Sequence, residues 1–320
     1  MVEEHFYFST NNNHFVSIPV FIHHHMNMSC ASCGKRKSED HPLFNCTACS
    51  LVKYCGIECQ KKHWKQHKKE CKKRAAELRD EILFKQPKST HLGDCPICCL
   101  PMPLDPKEYM ILFCCSKWIC NGCAYALEGD ARNRITCPFC REALTVGGAD
   151  KQMLKRVEAN DPVALELEGT KQCKKGNYTE ALGHFEEAAK GDGFGAAAGH
   201  YGLAHMYRNG LGVEKDEKLN IHHLEEAAIG GHPDARYNLG IREGKNGNKE
   251  RAIKHWIIAA TQGHDDSLTA LKQLYPKFLE KDVLAAALRA HKAAVDETKS
   301  PDRKAVGEFV RGKMAIKRGQ

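Results

Sequence analysis

Two small cysteine-framed modules followed by an all-α helical-repeat solenoid: this is the multidomain architecture that the sequence predicts. Three observations carry it. Of 17 cysteines, 16 fall between residues 30 and 140, and only Cys173 lies beyond. Fourteen of those 16 form close pairs, most often as C-x2-C. Past Gly147-Gly148 the pattern turns helical, with Ala-Ala pairs recurring at 188–189, 227–228 and 259–260. A length of 320 residues favours two or three units over one core. An aromatic share of only 8% suits Ala-rich helices and small metal modules better than one large sandwich or barrel.

Dense cysteine means disulfides or metal. The repeated C-x2-C spacing, the interleaved His67 and the absence of a secretory signal favour metal. The apolar stretch Phe15–Ile22 is only eight residues long and follows Glu3 and Glu4 with no Lys or Arg, so it is neither a signal peptide nor a membrane span. A reducing compartment, cytoplasmic or nuclear, is expected, with no membrane association. Residues 1–29, with Asn11–Asn13 and His23–His25, lack periodicity and read as a disordered tail rather than a metal-binding tract.

The first module runs Cys30-x2-Cys33, Cys46-x2-Cys49, Cys55-x3-Cys59 and His67-x3-Cys71. Seven thiolates and one imidazole supply two closed four-ligand shells, which suit zinc. Closed shells fold proteins and do not activate water; structural zinc is worth on the order of 10–16 kcal/mol to so small a module. The spacing, with Tyr54-Cys55-Gly56-Ile57-Glu58-Cys59-Gln60 and His63-Trp64-x2-His67-x3-Cys71, resembles the MYND zinc finger. The resemblance implies alternating pairing: Cys30, Cys33, Cys55 and Cys59 on one zinc, and Cys46, Cys49, His67 and Cys71 on the other. It also implies docking of short proline-containing peptides. His63 is surplus to the eight ligands.

A helix is expected over 60–84, with His67 and Cys71 at i and i+4 on one face. Eight Lys or Arg lie between Lys61 and Arg74 against one acid, Glu70. They fit a nuclear-import signal or a nucleic-acid contact, but with no interleaved aromatic platform a solvated face is the preferred reading and nucleic acid is not expected as a partner. Leu78, Ile82 and Leu83 form an apolar stripe; Pro87 stops the helix, and residues 72–94 are helix and linker.

The second module runs Cys95-x2-Cys98, Cys114-Cys115, Cys120-x2-Cys123 and Cys137-x2-Cys140, with Cys99 left over. Eight thiolates allow two more closed sites. Alternating pairing uses Cys95, Cys98, Cys120 and Cys123 for one, and Cys114, Cys115, Cys137 and Cys140 for the other. Such cross-bracing gives a 46-residue unit the rigidity that a small apolar core cannot. The spacing over 95–141 resembles an all-cysteine RING finger, departing from it in lacking a central His and in the adjacency of Cys114 and Cys115. The resemblance implies an apolar saddle for a ubiquitin-conjugating enzyme, made by Ile97 and Pro138 and completed by Leu127. It also implies a basic residue, Arg141, that touches both that enzyme and ubiquitin. Catalysis would be positional, with no catalytic nucleophile in this chain. Core packing for Ile97 and an ordinary surface charge for Arg141 are the competing readings.

Met153, Leu154 and Val157 suit a linking helix within 142–162. The Ala-Ala pairs then mark second helices of helix pairs, preceded at fixed offsets by Phe185, Leu224 or Trp256, by Leu182, Ile221 or Ile253, and by His184, His223 or His255. First helices are expected at 163–174, 196–208 and 234–245. The pattern, with the loop Gly210-Leu211-Gly212-Val213-Glu214-Lys215-Asp216, resembles Sel-1-like repeats, relatives of the tetratricopeptide type. The resemblance implies a curved scaffold over 163–298 that binds protein segments. The first repeat departs from it, with Glu168 at an apolar position. The repeated histidines fall on successive repeats rather than at one site and read as structural. A closing pair is expected at 266–276 and 281–297, with Leu284, Leu288 and His291 on one face, followed over 299–320 by a basic tail that reads as a frayed helix carrying Arg303 and Lys304.

There is no phosphate-cradling Gly loop, nucleophile elbow or SET-type methyltransferase segment. The sequence thus points to a zinc-binding protein-interaction protein holding about four Zn2+. The sharper expectation is a RING-type ubiquitin ligase whose MYND finger and repeats recruit partners. The alternative is a non-enzymatic adaptor.

Overall fold

The computed structural model describes residues 29–39, 42–128, 136–144, 147–274 and 276–307, and it divides into two compact units, 1–79 and 80–320. The polar tail up to residue 28 and the basic positions Arg311, Lys313, Lys317 and Arg318 lie outside the described residues.

In the first unit, β1 (Phe44–Asn45) pairs antiparallel with β2 (Lys53–Tyr54), and α1 (Ile57–Leu83) follows. The helix starts three residues before the expected position, which puts Cys59 in its first turn. The buried cluster here is Cys30, Cys46, Cys49, Cys71 and Tyr54. A core made of sulfur rather than hydrocarbon has little apolar area to bury, so ligand binding must supply its folding energy.

The second unit takes in the end of α1. Leu83 packs with Ala204, Leu224, Ala227 and Leu239, with Phe84 alongside. Ile82, expected in the same apolar stripe, is 53% exposed, because burial has passed to the next two residues as the helix ends. The fully buried Arg236 donates from Nη1 to the Leu83 carbonyl at 2.6 Å and from Nη2 to that of Lys85 at 3.3 Å. It thereby satisfies carbonyls that a helix C-terminus otherwise leaves unpaired.

The second cysteine-rich module is a hairpin of β3 (Tyr109–Leu112) and β4 (Lys117–Cys120) followed by α2 (Asn121–Glu128). The linking helix α3 (Ala149–Glu158) is shorter than the 142–162 expected: Ala143 is still bridged to Thr136, and Asn160 turns at φ 54°.

Helix pairs α4 (Pro162–Lys175) and α5 (Tyr178–Ala189), α6 (Gly193–Asn209) and α7 (Glu217–Ile229), and α8 (Pro233–Lys245) and α9 (Lys249–Ala260) then stack, closed by α10 (Asp265–Leu274) and α11 (Lys281–Glu297). The 210–216 loop ends in Asp216 because its carboxylate caps α7, accepting from the amides of Lys218 and Leu219. Asp161 does the same for α4. Small residues allow close packing: a Cβ on Gly240 would lie 2.4 Å from the Trp256 indole nitrogen, and one on Gly202 2.7 Å from the Phe185 ring.

Glu168 is buried and accepts from the Gln172 amide, so the polar departure of the first repeat is partnered. In α11 the buried position is Ala287, with Leu284 and His291 beside it, whereas Leu288, expected on that face, is 38% exposed. No helix among the described residues is long and apolar enough to cross a membrane.

Candidate metal centres

Four C-x2-C pairs in this chain share one backbone design. The amide four residues after the first cysteine donates to that cysteine's carbonyl: Gly34 to Cys30 at 2.9 Å, Ser50 to Cys46 at 2.9 Å, Cys99 to Cys95 at 2.8 Å and Arg141 to Cys137 at 2.9 Å. Each of these residues is left-handed, with φ of 73°, 56°, 56° and 62°. The first cysteine's own amide is also bonded, to Lys35, Val52, Leu100 and Glu142 respectively. The turn aims its inner amides at the sulfurs, which stabilises thiolate. Cys99, left over in the cysteine count, is thus the turn residue of its knuckle; it is exposed and belongs to no ligand group.

All sixteen expected ligands come together in four groups: Cys30, Cys33, Cys55 and Cys59; Cys46, Cys49, His67 and Cys71; Cys95, Cys98, Cys120 and Cys123; Cys114, Cys115, Cys137 and Cys140. Within each group the ligand atoms lie within 4.8 Å of one another. Sulfur–sulfur distances are 3.6 Å for Cys33–Cys55, 3.7 Å for Cys46–Cys71, 3.8 Å for Cys98–Cys120 and 3.6 Å for Cys115–Cys137. Four sulfurs about 2.3 Å from a tetrahedral zinc stand about 3.8 Å apart, whereas a disulfide is about 2.05 Å long. The donor sets and spacings therefore fit closed tetrahedral zinc sites.

The ligands arrive from different elements in each case. His67 and Cys71 come from one face of α1, and the His67 Nε2 lies 3.3 Å from the Cys49 sulfur. His63 is not a ligand: its ring stacks on His67 at 5.7 Å, and its Nδ1 lies 3.1 Å from the Tyr54 hydroxyl. Burial and the neighbouring thiolates push the Tyr54 phenol up to about 12, so it remains protonated. In the second module, the adjacent Cys114 and Cys115 sit in the β3–β4 turn, which Ser116 closes at φ 54°. That turn is how two consecutive residues join one group.

The thiols do not titrate alike. Burial opposes ionisation of Cys30, yet the amides of Cys33, Cys55 and Ser32 outweigh it and bring the thiol down to about 6. Cys55, bonded to Cys59, Cys33 and Cys30, is pushed up to about 12. Cys95 falls to about 7 despite burial, through the amides of Cys120, Cys98 and Ile97, while burial and Cys137 raise Cys115 to about 11. Packed thiolates repel one another, and a divalent cation is what lets all four lose their protons.

Around the second module, Ile97 is 40% and Phe139 38% exposed, and Pro138 and Arg141 are exposed. Leu127 is half-buried against the module's core. The repeated histidines have three different environments. His184 is half-buried, the His223 Nδ1 lies 3.0 Å from that of His200, and His255 is wholly buried against Phe84. None of the three belongs to a ligand group among the described residues.

Residues 301–307 are helical, as expected for the start of the basic tail. Two features had no sequence signal. The first is that Arg303 reaches the second module rather than solvent. It donates to the Cys98 sulfur at 3.2 Å, to the carbonyls of Leu100 and Pro101 at 3.3 and 2.7 Å, and to that of Thr298 at 2.6 Å. Its backbone nitrogen would also lie 3.0 Å from a Cβ on Gly122. The other feature is a ring ladder, Tyr109–Trp118–Phe194–His91–His232–Tyr201, with centroids 4.1–5.3 Å apart, that seats the module on the repeats.

Comparison with known proteins agrees with both ends of this description. Residues 30–71 match the MYND finger family, and residues 163–192, 197–232 and 233–264 match the Sel1 repeat. Those three spans coincide with α4–α5, α6–α7 and α8–α9, leaving α10 and α11 outside the matched repeats. A SET and MYND domain-containing protein of Dictyostelium discoideum is 48% identical over 46 residues, which is 13% of this chain and 8% of that one. The human histone-lysine N-methyltransferase SMYD3 is 47% identical over 45 residues, 13% of this chain and 9% of that one. The chain thus spans less than a tenth of the length of these curated relatives. A crystal structure of a Sel1 repeat protein from Oxalobacter formigenes is 22% identical, covers 48% of this chain and 66% of that one, and has a TM-score of 0.40. A MYND finger, Sel1 repeats and four groups that can hold zinc define the class: a protein of zinc-finger modules joined to a helical-repeat array.

Proposed function

We propose that residues 95–141 act as a RING-type ubiquitin ligase module, with the MYND finger and the repeats recruiting partners in the cytoplasm or nucleus. The observation that carries this reading is the exposure of Ile97, Pro138 and Phe139 between the cysteines of two knuckles, with Arg141 following the second. Apolar side chains held outward on cross-braced loops suit a docking saddle for a ubiquitin-conjugating enzyme, to which Leu127 would add. All sixteen grouped Cys and His would hold zinc, whose chemistry here is structural: it fixes the loops and supplies no Lewis-acid step. Arg141 is the positioning residue. Its guanidinium can donate to two carbonyls at once and hold the partner's thioester conjugate in a reactive pose.

The test is discharge of ubiquitin from a panel of loaded conjugating enzymes by the full chain, with about four zinc ions verified per chain. Stimulation that is lost in Ile97→Ala and Arg141→Gly is expected. Glycine is the informative replacement for Arg141 because it keeps the left-handed turn.

The second reading is a non-enzymatic adaptor. It is favoured by the Arg303 contacts and by the ladder through Trp118, which make the module part of the repeat scaffold. No stimulation with any partner, at full zinc content, would leave this reading standing. In either case we assign the MYND finger to short proline-containing peptides.

A further inference from the structure

We infer that the cavity between α6, α7 and α8 binds a carboxylate of an acidic protein segment. This rests on the reading of the repeats as partner-recruiting, and it names the chemistry of the partner.

The cavity has a volume of about 320 Å3. Its charged lining is three cations, Arg208, Arg242 and Lys245, against one carboxylate, Glu217. Arg242 is held in place: its side chain is 20% exposed, its Nη1 donates to Asn220 Oδ1 at 2.9 Å, and it pairs with Glu217. Asn220 is itself buried and anchored, donating to the Ala204 carbonyl at 2.8 Å. The Arg242 Nε is buried with no acceptor. Asn220 and Glu217 thus leave this guanidinium incompletely satisfied.

The two remaining cations stand free. Neither Arg208 nor Lys245 has a hydrogen bond or ion pair among the described residues, and both are exposed. Burial lowers the pKa of Arg242, and the positive charge of Arg208 lowers it further. Glu217 offsets only one of the three lining cations, so a further carboxylate at this wall is electrostatically favoured. Planar guanidinium forks select carboxylate geometry. The apolar contribution of Leu224 and Ile241 to the same wall suits a peptide rather than a bare ion.

The experiment uses the full zinc-loaded chain on an array of random octapeptides with amidated C-termini. Asp and Glu are expected to be enriched among bound peptides, and replacing them by Asn and Gln should weaken binding at least ten-fold. In the double variant Arg208→Ala, Lys245→Ala the acidic preference should disappear. A control removing two distant cations, Lys155→Ala with Lys292→Ala, should keep it, which separates this site from the chain's net charge of +8. Both cations of the double variant are exposed and unpartnered, so the fold is not at risk. Acidic enrichment that survives in the double variant, or that never arises in the parent chain, overturns the inference. Peptide capture by the parent chain without acidic preference would spare the recruiting role of the repeats while removing this site. Ubiquitin discharge should be unchanged in the double variant, so the ligase reading stands or falls separately.

Discussion

Arg303 donates from Nη2 to the sulfur of Cys98 at 3.2 Å, across 205 residues of sequence. Four thiolates on one Zn2+ leave the site a dianion, and a guanidinium against one sulfur offsets part of that charge and makes the sulfur a poorer nucleophile. Arg303→Ala should therefore release zinc from the Cys95, Cys98, Cys120 and Cys123 site several-fold faster. A metallochromic indicator would time the release, and mass spectrometry of alkylated cysteines would locate it. The Cys30, Cys33, Cys55 and Cys59 site is the internal reference. Equal acceleration at both sites would remove Arg303 from this role.

The four matching knuckles make a conformational prediction. Cys99 occupies a left-handed turn at φ 56°, where Gly34 sits in the corresponding knuckle at φ 73°. A non-glycine side chain there costs about 1–2 kcal/mol, of which glycine returns part because it also loosens the unfolded chain. Cys99→Gly should leave zinc stoichiometry unchanged and stability equal or slightly raised in urea titration. A lost zinc equivalent would mean that Cys99 is a ligand after all.

Arg236 is wholly buried and binds the carbonyls at the end of α1. Removing the donor leaves the buried Leu83 carbonyl without a partner, which costs about 1–3 kcal/mol. Arg236→Ala should lower the unfolding free energy of the helical unit by that order, read from urea titration. Arg236→Lys should recover little, since an ammonium lacks the fork that spans two carbonyls.

His255 gives the pH dependence a sign. Burial, then the charges of Arg236 and Arg251, lower its pKa from 6.5 to about 3. Between those values the unfolded chain binds a proton that the folded chain refuses, so stability is full above pH 6.5 and falls as the solution is acidified toward 3. The slope for one such group is at most about 1.4 kcal/mol per pH unit. Both ring nitrogens also lack a partner. His255→Leu should thus be neutral or stabilising at pH 7.5 and lose less stability than the parent between pH 7.5 and 5.5, followed by far-UV circular dichroism. Parallel losses in the two proteins would refute the assignment.

Much of this fold was legible because its determinants are local. Metal ligands recur at fixed short spacings, so Cys30 to Cys140 are legible as paired donors, and the resemblance to the MYND finger supplies the grouping of the first eight ligands. Stacked helix pairs must repeat their packing residues, so Phe185, Leu224 and Trp256 marked their helices. Failures came where long-range packing overrides the period. Ile82 and Leu288 sit on predicted apolar faces but meet solvent, because Leu83 and Ala287 take the contact. Arg303 looked like one more cation of a basic tail; nothing in its neighbours signals a sulfur so far upstream. Trp118 and Phe194, which meet at 5.2 Å, belong to different motifs, and neither motif names the other.

The contact made by Arg303 also has a consequence for biogenesis. The ligands Cys95 to Cys123 leave the ribosome well before Arg303, the cation that balances their charge, has been made. Nascent chains stalled before residue 303 would carry every metal ligand and every repeat, yet hold a centre that yields its zinc more readily. Synthesis through residue 303, rather than exposure of the cysteines, is then the step that commits the metal.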